Sequence, residues 1–334
     1  AAAVALGAAA VLATSWIARP RLRAGAALRV TFLDVGQGDA AVVELPDGEV
    51  WLVDAGGDPI AADLRAGARP GEVVARFLRD RRVDHVDVAV LSHPHPDHFL
   101  GFLAVGAALP IGALWTAAEP PPDVPDDDAA AAPRDDDPVA VSSRHSRGFA
   151  AVAGWLAARG TAIVHPRLGA YTHGDVTLRV LAPRYEDDVA TADPVRTVND
   201  NSLVLAVERA GRCILFAGDL EAEGEEALVA AAGGALPCDV VKVPHHGSPT
   251  SSSQAFVDAT HPRLAVISLG RGNHFGFPGP AVLDRWRAAG ARVLRTDTVG
   301  AVTVTIDAAG RLSVSTVDPA PPVPADPIAP PPRS

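Results

Sequence analysis

His93, His95, Asp97 and His98 stand within six consecutive residues of the stretch LSHPHPDHFLG (91–101), with Pro94 and Pro96 between them. Imidazole nitrogens and carboxylate oxygens are donors that zinc and manganese accept, and four on one loop outweigh the reading of a polar surface loop with accidental histidines. A complete site needs further donors from elsewhere in the chain.

Such a loop needs a core to present it. HVDVAVLSH (85–93) is a short apolar run ending at the cluster, which places the loop at the C-terminal end of a strand. Upstream, LRVTFLDV (28–35), DAAVVEL (39–45) and EVWLVDAGG (49–57) read as strands, with a hairpin turn at Pro46-Asp47-Gly48. GEVVARFLRDRR (71–82) sets Val73, Val74, Phe77 and Leu78 on one helical face. Helices over about 147–159, 221–232 and 280–289 alternate with strands near 161–165 and 174–181, in SLVLAVERAGRCILFAGD (202–219), and in CDVVKV, RLAVISL and ARVLRT. AVTVTID and RLSVSTV complete the series. A β-rich half followed by helices occurs twice, an order that fits two packed sheets with helices outside.

The chain has 334 residues, 48% hydrophobic and 5% aromatic, enough for a sizeable core. Residues 123–137 hold seven aspartates against Arg134, so more than half of the net charge of −11 sits in one stretch. No basic stripe marks a nucleic-acid binder, although an enzyme can still meet DNA through metal ions at a small site. Cys213 and Cys238 lie in strand-like runs without metal or redox spacing and read as buried free thiols. With no methionine, even at position 1, the sequence reads as a C-terminal fragment of a longer or processed product. Residues 1–27, uncharged to Ala18, form a truncated transmembrane helix or an apolar linker. Residues 28–317 make up the domain, 119–138 a flexible acidic insertion lacking the spaced glycine and glutamate of a calcium loop, and 318–334 a Pro-rich disordered tail.

His-x-His-x-Asp-His after a strand resembles the hallmark of the metallo-β-lactamase fold, a four-layer αββα sandwich of α/β class that binds one or two metals. The resemblance extends to Asp54 in LVDAGG, which in the fold orients the histidine loop, and to Asp219 in LFAGDLE, matching its bridging carboxylate. LDVGQGDA (33–40), NDNSLVL (199–205), FAGDLE and VKVPHHGSPTSS (241–252) together resemble the C-terminal domain of the ComEC family of DNA-uptake channels.

The resemblance implies two divalent ions, zinc or manganese with magnesium possible, which together hold a hydroxide, coordinate a phosphate and stabilise a leaving alkoxide. His93 and His95 hold one, Asp97 and His98 the other, Asp219 lies between, and the last ligand is one of the pair His245 and His246, with His245 the first choice. Asp97, His246 and Lys242 are the groups set to act on substrate. Lys242, the chain's only lysine, either contacts phosphate or reaches solvent. Where many relatives carry a third histidine this chain has Asn201, either an oxygen ligand or a residue that hydrogen-bonds a turn. His274 is a further candidate near the second metal, and Ser248 a substrate contact. Serines 251–253 can cap a following helix, QAFVDAT. Asp34, Gln37 and Asp39 either line the cleft or, the favoured reading, stabilise a turn.

The implied function is a metal-dependent DNase or phosphodiesterase that degrades the non-transported strand during DNA uptake. Its partners are single-stranded DNA or another phosphodiester, the channel portion of the same protein and the uptake machinery. The alternatives are a phosphorylcholine-esterase-like enzyme on small substrates and a catalytically inactive DNA-binding vestibule. Arg19, Arg21 and Arg23 favour a cytoplasmic side, whereas strand degradation favours the outer face of the inner membrane, the location expected here.

Overall fold

Val50–Ala55 (VWLVDA) is buried at every position, as a strand covered on both faces must be. The computed structural model describes residues 27–119 and 138–318, apart from Ala62, Glu186, Asp187 and Ala235, with the helical backbone alone over 138–147. The apolar segment up to residue 26, the acidic stretch 120–137 and the Pro-rich tail from 319 lie outside the described residues. Among those described, no helix is long and apolar enough to cross a membrane.

The elements in chain order are β1 (Leu28–Phe32), β2 (Ala40–Glu44), β3 (Val50–Ala55), α1 (Leu64–Gly67), α2 (Pro70–Asp80), β4 (Val86–Val90), α3 (Pro96–Phe99), α4 (Gly101–Ala108) and β5 (Ile111–Trp115). Next come α5 (Pro138–Ala157), β6 (Ala162–Val164), β7 (Gly169–His173), β8 (Val176–Ala182), β9 (Val204–Arg209), β10 (Arg212–Phe216), α6 (Ala222–Ala231) and β11 (Val240–Lys242). The chain closes with α7 (Gln254–Thr260), β12 (Leu264–Ile267), α8 (Pro280–Ala288), β13 (Arg292–Arg295), α9 (Thr296–Val299), β14 (Val302–Ile306) and β15 (Leu312–Thr316).

One sheet has the order β15-β14-β1-β2-β3-β4-β5-β6 and the other β13-β12-β11-β10-β9-β8-β7. Each joins antiparallel strands to a parallel run reached through helices, which is why the sequence shows a strand-rich half followed by helices twice. Alternation along β3 divides the core: Trp51 and Val53 meet Leu205, Val207 and Phe216 between the sheets, whereas Leu52 packs outward with Val74 and Leu78 of α2 and Phe102 of α4. On the far side Val241 and Leu215 lie under Phe256 of α7 and Trp286 of α8. The result is the expected αββα sandwich.

Two expectations change in detail. On α2 the buried stripe is Gly71, Val74, Ala75 and Leu78, while Val73 is exposed. Cys213 and Cys238 are not free thiols but a disulfide, their Cα atoms 4.6 Å apart. β10 and β11 are parallel neighbours with Ile214 opposite Val240, and that lateral pairing brings the two cysteines within bridging distance.

Candidate metal centre

Asp54 lies near the end of β3, the His93–His98 loop follows β4, Asp219 follows β10, the turn at 243–248 follows β11 and Ser268 follows β12. These are the C-terminal ends of strands in the parallel half of each sheet, the edge where α/β folds place ligands. Asp39, just before antiparallel β2, reaches the same edge. Gly38 permits this: at φ 120° it carries no Cβ, which would collide with the Asp97 carbonyl that accepts the Asp39 N–H at 3.3 Å.

Asp219 Oδ2 is the hub. His98 Nε2 lies 3.2 Å from it, His246 Nε2 3.4 Å and His93 Nε2 3.9 Å. Asp97 Oδ2 closes the group, 3.4 Å from His246 Nε2 and 3.9 Å from His98 Nε2. Asp39, His98, Asp219 and His246 present ligand atoms all within 4.8 Å of one another, and all four residues are buried.

Surrounding groups aim these side chains. Asp54 Oδ2 pairs with His98 Nδ1 at 3.0 Å while its Oδ1 accepts the Ser92 N–H, which couples the end of β3 to the histidine loop. His246 Nδ1–H donates to the Ser268 carbonyl at 2.9 Å, so Nε2 is the nitrogen left for a cation or a proton. The Asp219 N–H donates to Ser202 Oγ at 3.0 Å.

The turn after β11 is built from three successive left-handed residues, His245 (φ 49°), His246 (φ 52°) and Gly247 (φ 79°). For the two histidines this conformation costs about 1–3 kcal/mol each. It sends adjacent imidazoles apart: His246 turns into the cluster, and His245, partly exposed, faces outward with Nδ1 3.3 Å from Glu221 Oε1 and 3.4 Å from Thr250 Oγ1.

The electrostatics divide the histidines. Burial, reinforced by the charges of His98 and His95, holds His93 well below the usual imidazole range, so it is neutral. Burial also opposes charge on His98, but Asp219, Asp54 and Asp97 more than offset it and hold that ring well above its usual range. His246 is pushed up to about 10, where Asp219 and Asp39 outweigh burial. Burial alone raises a carboxyl, yet the charges of His246, His98 and Lys242 keep Asp219 well below the usual range. A divalent cation entering this group therefore takes His93 as it stands and displaces protons from His98 and His246. Cation affinity is expected to rise with pH through neutrality, because protons compete at both nitrogens, and binding is expected to release protons. Calorimetric zinc titrations in buffers of different ionisation enthalpy read the number directly; zero release at pH 7 contradicts this charge distribution.

Of the adjacent pair, His246 rather than His245 turns into the cluster, and His95 is half-buried with its ring edge-on to His93 at 4.6 Å. Asn201 takes the turn-bonding role: Oδ1 accepts the Asp193 N–H at 2.6 Å, and Nδ2 donates to the carbonyls of Asp193, Arg196 and Thr197. Lys242 does not face a phosphate. It is buried, and Nζ is committed to Asp39, to Asp219 Oδ1 at 3.3 Å and to the Gly218 carbonyl at 3.0 Å, which occupies its three donors. Ser248 is buried and bonds Thr250 Oγ1 at 2.9 Å, and His274 is exposed outside the cluster. Ser253 caps α7, its Oγ accepting the Phe256 N–H at 3.3 Å. Of the three polar residues in DVGQGD, Asp34 stays local and accepts from Gly36, Gln37 accepts from Gly270 on the loop after β12, and Asp39 joins the cluster. The turn role expected for Asp39 gives way to a place in the cluster.

The donor set fits divalent cations. Nε2 of both His93 and His246 is buried without a well-formed hydrogen bond, and both face carboxylate oxygens. Fold and site define a metallohydrolase class, and the chain belongs to the metallo-β-lactamase superfamily, whose model matches residues 33–271. Relatives it resembles include members of the ComEC family. The chain is 45% identical to competence protein ComA of Neisseria gonorrhoeae over 109 residues, 32% of this chain and 16% of that one. It is 28% identical to ComE operon protein 3 of Bacillus subtilis over 282 residues, 82% of this chain and 32% of that one. The chain thus spans less than a third of the length of either relative. Among solved structures it is similar to CmlA, a diiron β-hydroxylase from Streptomyces venezuelae, with TM-score 0.44 and 14% identity over 83% of this chain and 54% of that one.

Proposed function

We propose that this protein is a metal-dependent phosphodiesterase that cleaves DNA, acting on the non-transported strand during uptake. The observation that carries the hydrolase chemistry is the buried convergence of three imidazole Nε2 atoms on Asp219 Oδ2 beside Asp97. DNA as the substrate is supported by the competence role in the relatives' names.

His93, His98, His246, Asp97 and Asp219 would hold the cations, with Asp39 close by. Bound there, divalent ions supply a nucleophile at neutral pH and neutralise the charge that develops on a phosphoryl group. The chain's own residues do the rest. Asp54 and the Ser268 carbonyl fix the orientation of His98 and His246, and Lys242 balances the carboxylates from behind. Glu221 and Thr250 hold His245 through Nδ1, and its Nε2 is the nitrogen that would give a proton to the departing oxygen. By the same reading the domain faces the outer side of the inner membrane, attached to the channel portion of a longer protein.

Elemental analysis, followed by cleavage assays on single-stranded DNA and bis-p-nitrophenyl phosphate in zinc, manganese and magnesium, tests this. The expected result is bound metal and cut DNA. Hydrolysis of the small ester with DNA intact refutes the nuclease, and a protein that remains metal-free and inactive after reconstitution refutes the hydrolase.

A further inference from the structure

Phe275 is 54% exposed, the one phenylalanine left open to solvent among the described residues. It stacks on Phe277 with centroids 5.5 Å apart and planes 19° from parallel. Phe277 meets His245 edge-on at 5.8 Å, and the His245 and His246 centroids are 6.4 Å apart. A continuous file of rings thus runs from solvent to the metal centre.

The loop bearing these rings is fixed. Asn273 clamps it, Oδ1 accepting the Phe277 N–H at 3.0 Å and Nδ2 donating to the Phe277 carbonyl at 2.8 Å. It is seated on the histidine turn, where the Gly279 N–H donates to the Gly247 carbonyl at 2.8 Å and a Cβ on Gly247 would come within 2.6 Å of Pro278. A flat apolar ring is therefore held open to water at a set place relative to the site.

We infer that Phe275 and Phe277 form a stacking platform for the nucleobases of a single DNA strand whose phosphodiester lies at the metal centre. This rests on the phosphodiesterase reading above. Charge points to a base as the occupant: the chain is acidic overall, its one lysine is buried, and its arginines form no basic stripe in the sequence to track a phosphate backbone. Affinity for a strand then draws on the cations and on π-faces, which every base offers. A corollary is a salt dependence of binding shallower than that of a protein neutralising many phosphates.

The test is fluorescence anisotropy of the metal-loaded full chain with a labelled oligothymidylate and with an abasic strand of equal length. Phe275→Ala is expected to weaken binding of the base-bearing strand about tenfold, Phe275→Trp to restore it, and the abasic strand to bind wild type and Phe275→Ala alike. Equal binding of oligothymidylate by wild type and Phe275→Ala, or an equal loss on the abasic strand, overturns the platform. Cleavage is scored separately: a wild type that binds through Phe275 but never cuts DNA removes the nuclease reading and leaves the platform, whereas a wild type that cuts with Phe275 dispensable does the reverse.

Discussion

Asp219→Ala is expected to lose more than about a hundredfold in hydrolysis of any substrate, since even residues that only support a metal's ligands are worth 10–100-fold. Asp219 Oδ2 is approached by three histidines, and Oδ1 lies 3.3 Å from Lys242, whereas Asp97 lies near only two of those histidines. The variant should also hold less metal per chain by elemental analysis. Loss of a buried carboxylate strands the charges of Lys242 and the histidines, so folding must be checked by circular dichroism. Asp219→Asn, which keeps the shape but lacks the charge, is expected to fold and remain inactive. Full metal content with retained turnover in either variant excludes Asp219 as the hub.

Lys242→Met should produce the largest loss of stability. The methionine fills similar space without donors, leaving Asp39 and Asp219 buried without their cation, and breaking such a pair costs about 3–5 kcal/mol. In a domain of this size the melting temperature should fall by about 10 °C. Burial acts to lower the Lys242 pKa, but Asp39 and Asp219 raise it above its ordinary value. A raised folded-state pKa contributes stability that is complete below the unfolded value and lost only as pH climbs through the folded one, so the deficit should be constant across neutral pH. Adding Asp39→Asn to Lys242→Met should recover part of the loss, as a double-mutant cycle of touching residues requires. A lysine serving as a phosphate contact would show the opposite pattern, lower kcat/KM at unchanged melting temperature.

The strands were legible because alternation and Asp-Gly turns are local, and the histidine loop because its four donors lie within six residues. Helix α4 was not: GFLAVGAA is apolar on every side, so no periodicity marks it. Asp39 looked like a turn residue since nothing nearby in sequence says that Lys242, some two hundred positions away, points at it. Asn201 occupied the position of a ligand by alignment of motifs, but its bonds go to a loop at 193–197 whose course only the fold decides. His245 and His246 were interchangeable on paper; left-handed backbone, which no residue other than glycine advertises, separates them.

The centre draws Asp39, Asp54, His93 and His98 from one sheet and Asp219, Lys242 and His246 from the other. Elsewhere the seam between the sheets is closed mainly by apolar side chains. Ions seated here would act as rivets through that seam, favouring the folded chain in proportion to their occupancy. The thermal midpoint of the protein then becomes a gauge of metal loading that needs no substrate.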